Sequence, residues 1–356
     1  VFERRLEPSR LIAFLVPVAS FILALIMGSI LLLAAGVDPI ETYKAMFDGA
    51  FGSSYARSEM LVKAIPLMLT GLAVSIAFRM LFWNIGAEGQ LAIGAIATAW
   101  IPLFVLQDAD LPSWVLLIIM GIMAFVGGAL WGLIPAALKA FLQVNEIITT
   151  LMLNYVAILL LSYLYTGPWK DKQGFGFPGT ASFKELAALP RLTGRVHIGI
   201  LIAIAAAVFI WLVLIRTRWG YEIRVIGENP EAAHYAGISL TRNVLLVMLL
   251  SGGLAGLAGF GQVAGIAHRL QQGITVGDGF TAIIIAWLAK LHPIGVLFVA
   301  ILMAALSVGG DQITITMGLP AAMAGVLQGA ILFFVLGGDI FVRYRLHVVH
   351  KAGTGN

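Results

Sequence analysis

The sequence predicts an all-α polytopic membrane protein, and three observations carry that prediction. Of its 356 residues, 60% are hydrophobic and 11% charged, whereas soluble domains carry roughly 25% charged residues. The mean hydropathy is +0.97. The apolar residues gather into long runs, and about 20 in succession form a helix that crosses ~30 Å of hydrocarbon. Helix is the form such runs must take, because lipid offers no partner to a free backbone N–H or C=O. The absence of cysteine excludes a disulfide framework, thiol chemistry and a cysteine-based metal site. The net charge of +4 does not point to nucleic acid, since in a membrane protein the location of positive charge matters more than its sum.

Ten apolar segments follow one another: 11–35, 61–81, 85–106, 113–138, 146–166, 197–215, 242–264, 280–290, 294–310 and 322–342. The first is longer than the ~7–15-residue core of a signal peptide and is expected to be a retained helix. The eighth is too short to cross alone. It is either extended by the residues before it or part of a broken helix, which leaves nine or eleven segments open. An even number places both termini on one side. With the termini in the cytoplasm, 13 of the 22 Lys and Arg residues lie inside, and five of the nine outside belong to the single loop 167–196. The short loops therefore carry the positive-inside bias. The expectation is one transmembrane domain, 1–356, and the lack of cysteine is compatible with a bacterial inner (plasma) membrane. Its cytoplasmic loop lies at about 217–241 and its extracytoplasmic loops at about 36–60 and 167–196.

Several motifs are read for chemistry. Nothing matches the phosphate-binding pattern G-x-x-x-x-G-K-[ST]. Gly174-Phe-Gly-Phe-Pro-Gly179 has dinucleotide-fingerprint spacing, but no strand precedes it and Pro178 opposes a helix start, so a turn-rich loop is expected. Leu250-Ser-Gly-Gly253 looks like an ATPase signature loop yet lies in an apolar span. Gly252 and Gly256, like Gly128 and Gly132, have the spacing that lets helices approach closely. His268, Arg269, Asp278 and Asp311 are expected at outer loops, Arg79 at the inner interface, and His347 and His350 in a basic tail.

Two polar stretches are more pointed. Asn84-Ile-Gly-Ala-Glu-Gly-Gln90 precedes a purely apolar run of 16 residues, 91–106. Either part of it enters the membrane as a broken, capped helix start with Glu88 as an intramembrane carboxylate, or it is a cytoplasmic turn with Glu88 solvated. In Asn145-Glu-Ile-Ile-Thr-Thr-Leu-Met-Leu-Asn154, Glu146, Thr150 and Asn154 fall on one helical stripe flanked by Asn145 and Thr149. The stripe either lines a polar path or does local work: Asn145 caps, Glu146 complements the dipole and the threonines bond their own backbone. Asn84, Glu88, Gln90, Asn145, Glu146, Thr149, Thr150 and Asn154 are thus the candidate path residues. Used as proton or cation sites, Glu88 and Glu146 would instead suit an ion-coupled secondary transporter.

The segment 228–238 is a third. Asn229 is a good N-cap, Pro230 suits the first helical position, Glu231 complements the dipole and Gly237 suits a left-handed stop. About seven helical residues cover only ~11 Å, too few to persist alone in water. This short helix is expected to dock on a soluble motor.

On these residues the chain resembles the permease subunits of bacterial ABC importers of the branched-chain amino acid, simple-sugar and nucleoside superfamily. The resemblance rests on Asn84 to Gln90, Asn145 to Asn154, Gly227 to Ile238 and the glycine-rich Ser251 to Gly261. Asn145 to Tyr155 is most similar to the longer permease of nucleoside-type systems. Ala289-Lys-Leu-His-Pro293 departs from the Gly-Arg-Leu-Asn-Pro more usual there. The resemblance implies a type II importer permease fold of about ten helices and transport of nucleosides, with simple sugars as the alternative. It implies a cytoplasmic ABC ATPase, a second and shorter permease, an extracytoplasmic substrate-binding lipoprotein and a membrane-lipid surround. No cofactor is implied on this chain, because ATP and Mg belong to the ATPase. Glu228, Asn229, Pro230, Glu231, Ala232, Ala233, Tyr235, Ala236 and Gly237 match the loop that couples permease to ATPase.

Overall fold

The computed structural model describes residues 2–4, 10–107, 111–174, 176–320 and 322–346. His347, His350, Phe175 and both chain ends lie outside them. In chain order the elements are β1 Phe2–Arg4, α1 Arg10–Ala34, α2 Pro39–Phe51, α3 Ser54–Arg79, α4 Ala87–Trp100, α5 Ser113–Leu142, α6 Glu146–Thr166, β2 Arg191–Thr193, β3 Val196–His197, α7 Gly199–Arg216, α8 Arg218–Glu228, α9 Pro230–Tyr235, α10 Leu240–Gln262, α11 Asp278–Leu288, α12 Pro293–Met317, α13 Ala322–Arg343 and β4 Tyr344–Leu346. Both α4 and α10 run on into a π-helical turn, Ile101–Val105 and Val263–Ala267 respectively. Every apolar segment of the sequence contains a helix. Among the described residues, seven helices are long and apolar enough to cross a bilayer. An eighth span results if Val18–Ala34 and Pro39–Phe51, bent by 114°, are taken together. Helix α11 and the part Ala322–Phe334 of α13 are apolar but shorter.

Residues 36–60 carry more helix than the sequence suggests. Asp38 caps α2, its Oδ1 accepting from Ile40 N at 2.7 Å and Glu41 N at 3.1 Å. Thr42, Met46 and Ala50 are buried at i, i+4 and i+8. That stripe is too narrow for a hydropathy window to register. Ser53 caps α3 by accepting from Ala56 N at 3.0 Å, so α3 begins seven residues before its apolar run.

The described residues form two compact units, 1–49 with 309–356 and 50–308. In the first, α1 packs on α13 and the Tyr43 hydroxyl donates to Leu25 O at 2.6 Å. The second unit is built around α3. Its most apolar 18-residue window is 89% buried, as befits a helix apolar on all sides. Helices α4, α7, α10 and α11 surround it.

The expected close approach of glycine-bearing helices is present. A Cβ at Gly252 would overlap Gly128 O, and one at Gly256 would overlap Ala124 O. Helices α5 and α10 therefore meet backbone to backbone, and Gly94 brings α4 against Gly256 in the same way. The Leu250–Gly253 motif is a helix-packing seam.

Candidate functional site

Two regions of the second unit answer to the sequence signals. The first is the short helix α9. Asn229 Oδ1 accepts from Glu231 N and Ala232 N, each at 3.0 Å. Gly237 has φ +76°, and Ile238 N returns to Ala233 O at 3.0 Å. Both caps thus form as the residue types dictate. Ala233 is fully buried, whereas Glu228, Asn229, Pro230, Glu231, Ala232, Ala236 and Gly237 are exposed. Tyr235 is 90% exposed, an apolar ring presented on a polar face.

What the sequence reading missed is the mount. Helix α8 is amphipathic, burying Ile223 and Ile226, and Thr217 caps it by accepting from Gly220 N at 3.0 Å. Its Gly227 lies so close to the end of α3 that a Cβ there would overlap Arg79 O. Arg224 Nη1 donates to Leu214 O of α7 at 2.7 Å. Glu222 Oε2 accepts from Asn243 Nδ2 at 2.8 Å and Arg242 Nη2 at 3.2 Å, both on α10. The exposed knob is therefore fixed to α3, α7 and α10. A Thr cap followed by two isoleucines three apart was the available signal.

The second region is the break between α3 and α4. Asn84, Glu88 and Gln90 are all buried there, Glu88 being 1% exposed. A solvated turn is thereby excluded. The non-helical backbone takes its hydrogen bonds from side chains. Asn84 Oδ1 accepts from Gly86 N at 2.9 Å, and its Nδ2 donates to Gln90 Oε1 at 3.1 Å and Ser251 Oγ at 2.9 Å. The Ser251 hydroxyl in turn donates to Ala73 O at 2.6 Å. From α6, Asn154 Nδ2 donates to Ile85 O at 2.7 Å, while its Oδ1 accepts from Gly89 N at 2.8 Å. Thr150 Oγ1 accepts from Ile85 N at 3.3 Å. Burying such groups without partners is unfavourable by several kcal/mol in an apolar surround, which explains why α6 turns its polar stripe inward.

Glu88 closes the arrangement. Its Oε1 accepts from Gly277 N at 2.8 Å and its Oε2 from Gly279 N at 2.6 Å. Those amides open α11, where the first N–H groups have no helical partner and the dipole favours an anion. Gly279 approaches so closely that a Cβ would overlap Glu88 N. Next to it, Asp278 Oδ2 accepts from Gln262 Nε2 at 3.0 Å. The N-termini of two short helices, α4 and α11, thus converge on a pair of carboxylates. Discontinuous helices with converging ends are the usual framework of transport sites.

The structure brings Asn84, Glu88, Gln90, Thr150 and Asn154 together and leaves three candidates outside. Asn145 caps α6, accepting from Ile147 N at 2.9 Å. Glu146 pairs with Lys139 Nζ at 2.9 Å. Thr149 Oγ1 donates to Asn145 O at 3.0 Å. Ser251 and Asp278 belong to the region but were read as a packing residue and a loop residue, and Gln262 was not singled out. The signal for Asp278 was Gly277-Asp-Gly279 directly before the short apolar segment. Gly174 and residues 176–179 follow α6 as irregular chain, with Gly179 bridged to Gln271.

Comparison with known proteins follows the same lines. The family model described as branched-chain amino acid transport system / permease component matches residues 56–336. The glucose ABC transporter permease protein TsgB13 of Haloferax volcanii is 39% identical over 97% of this chain and 94% of its own. The guanosine ABC transporter permease protein NupP of Bacillus subtilis is 34% identical over 97% and 99%. The nucleoside ABC transporter permease protein NupB of Lactococcus lactis is 33% identical over 90% of each. Among solved structures, PsaBC from Streptococcus pneumoniae in complex with Fab aligns over 82% of this chain and 94% of that one. The TM-score there is 0.47 and the identity 14%, a level that does not establish a shared fold. A multi-pass helical chain with a capped knob, buried breaks and relatives of this kind belongs to the branched-chain amino acid transport system / permease component family.

Proposed function

We propose that this chain is the membrane-spanning subunit of an ATP-driven importer for nucleosides. Its knob α9 docks on a separate cytoplasmic ABC ATPase, which carries the ATP and Mg. A second, shorter permease completes the path, and an extracytoplasmic lipoprotein delivers the solute. The chain forms one transmembrane domain of ten spans with both termini in the cytoplasm of a bacterial inner membrane.

The single observation that carries this reading is α9: a six-residue helix capped at both ends, exposed, and fixed to the central helix through Gly227. Ordering so short a helix at a surface has a physical purpose if a partner grips it. Glu228 to Ala232 and Tyr235 to Gly237 form the contact, while the buried Ala233 seats the helix beneath them. When the ATPase changes state, force enters α8 and reaches α3 at Arg79. Coupling requires that the two ATPase states bind the two permease conformations with different affinity, since equal affinity would shift nothing. Asn84, Glu88, Gln90, Thr150 and Asn154 border the path by holding its broken helices, and Asn145, Glu146 and Thr149 set the entry of α6.

The names of the guanosine and nucleoside permeases, related along nearly their whole length, support a nucleoside. The glucose permease at 39% identity favours a second reading, a simple sugar. Proteoliposomes holding both permeases, the ATPase and the lipoprotein separate them: ATP-dependent uptake of labelled nucleoside, competed poorly by glucose, is the expected result. Uptake driven by a pH gradient without the ATPase would overturn the importer reading.

A further inference from the structure

At the end of α10 remote from the knob, the loop 167–196 is stitched onto the turn that follows the π-helical residues. Thr180 N donates to Leu270 O at 2.9 Å, Phe183 N to His268 O at 2.8 Å, and Leu270 N to Thr180 Oγ1 at 3.0 Å. Beside this seam lies a cavity of about 550 Å³ whose walls include Ser182, Gln262, His268, Arg269 and Gln271. That volume is within the ~300–1,000 Å³ of small-molecule sites.

The chemistry of the walls defines what fits. None of the lining residues is acidic. Arg195, on the rim, is neutralised by Glu59 at 2.7 Å. Burial, and then the charge of Arg191, hold His268 below its ordinary imidazole range, which favours its neutral form. Arg269 Nε donates to Gln271 Oε1 at 2.6 Å, which leaves the Gln271 amide group to donate. Gln262 Nε2 is held by Asp278, which leaves its Oε1 to accept. Ile266, Ala267 and Ile274 supply apolar wall between these polar groups. An acceptor on Gln262, a donor on Gln271 and the Arg269 guanidinium beside apolar wall suit a ring bearing several hydroxyls, each of which both donates and accepts. Through Gln262 and Asp278 the floor of the cavity is joined to the α11 turn that grips Glu88.

We infer that this cavity is a sugar-recognising vestibule of the permease itself, with Gln262 as its floor and Arg269–Gln271 as its wall, and that it reads the ribose hydroxyls of an incoming nucleoside. The inference rests on the proposed function. It assigns the permease a share in selection separate from that of the lipoprotein. A hexose presents the same chemistry, so the vestibule also accounts for a family with both nucleoside and glucose permeases among its members.

The test uses the complete reconstituted importer with one unchanged lipoprotein. Uptake of a ribonucleoside is compared with uptake of its 2′,3′-dideoxy analogue by the wild type, Gln262→Leu and Gln271→Ala. Each lost hydrogen bond is expected to raise KM for the ribonucleoside by roughly tenfold, with little change in kcat. KM for the dideoxy analogue is expected to stay the same, so the preference collapses. A merely structural role would move both solutes together. Gln271→Ala removes a side chain not bonded to the helix break, so it decides alone if Gln262→Leu fails to assemble. An unchanged preference in active variants would overturn the vestibule and leave the importer intact. No ATP-dependent uptake of nucleoside or hexose by the wild type would overturn the functional reading and the vestibule together.

Discussion

The knob at 228–238 and the break at 84–90 are both polar, both short and both interrupt apolar sequence, yet they are held by opposite means. In α9 every stabilising contact of the caps lies within five residues: Asn229 to Glu231 and Ala232, and Ile238 back to Ala233. At the break, Asn84 also bonds locally to Gly86 and Gln90, but the bonds that tie it, Ile85, Glu88 and Gly89 to α6, α10 and the start of α11 join residues between 65 and 191 positions apart. A local device survives if its neighbours move. A non-local one ties its neighbours together. The knob is therefore suited to being gripped and displaced as a body, and the break to registering whether the helices around it have moved.

Substitutions sharpen the contrast. The largest effect is expected from Gly279→Val, because no Cβ fits against Glu88 N. The two helix ends separate, and size-exclusion of the detergent-purified protein should show loss of the monodisperse peak. Next is Glu88→Ala, which leaves the buried amide of Gly279 without an acceptor at roughly 1–3 kcal/mol, and the half-buried amide of Gly277 at less. A melting temperature well below wild type is expected, with Glu88→Gln in between. A wild-type melting curve for Glu88→Ala would show that the convergence of α4 and α11 does not depend on the carboxylate. The smallest effect on the fold is expected at the knob. Glu231→Lys should leave melting within about 0.5–1 kcal/mol of wild type, since the position is exposed, whereas Gly237→Val forces a branched side chain onto φ +76° and strains the end of α9 by about 1–3 kcal/mol. They should nevertheless lower ATP-dependent uptake at least tenfold while lipoprotein binding is retained. Unchanged uptake by both would sever the link between α9 and the ATPase.

The same contrast explains what could be read in advance. The knob was legible because its caps are properties of single residues at fixed offsets. The Glu146, Thr150, Asn154 stripe was legible as a face but not as a purpose. Period 3.6 shows that Thr150 and Asn154 point one way, whereas only the packing of α6 on α4 shows that they point at Ile85 and Gly89. Glu146, on the same stripe, is diverted by Lys139 in the last turn of α5, with which it pairs at 2.9 Å. Ser251 was hidden by the stronger glycine signal around it. Helix α8 was passed over because Arg218, Glu222, Arg224 and Glu228 made the stretch look like plain loop, while its buried side is only Ile223 and Ile226 with Gly220.

The glycine seam between α5 and α10 sets a limit on any cycle this permease performs. Gly128, Gly252 and Gly256 mesh like the teeth of a closed zip, with main chain resting on main chain. Sliding α10 along α5 by a turn would drive Met248 or Phe260 into space that only glycine hydrogen atoms now occupy. The trio α4, α5 and α10 must accordingly travel as a solid wedge. Whatever opens and shuts the passage has to hinge around that wedge, at its borders with less tightly meshed helices.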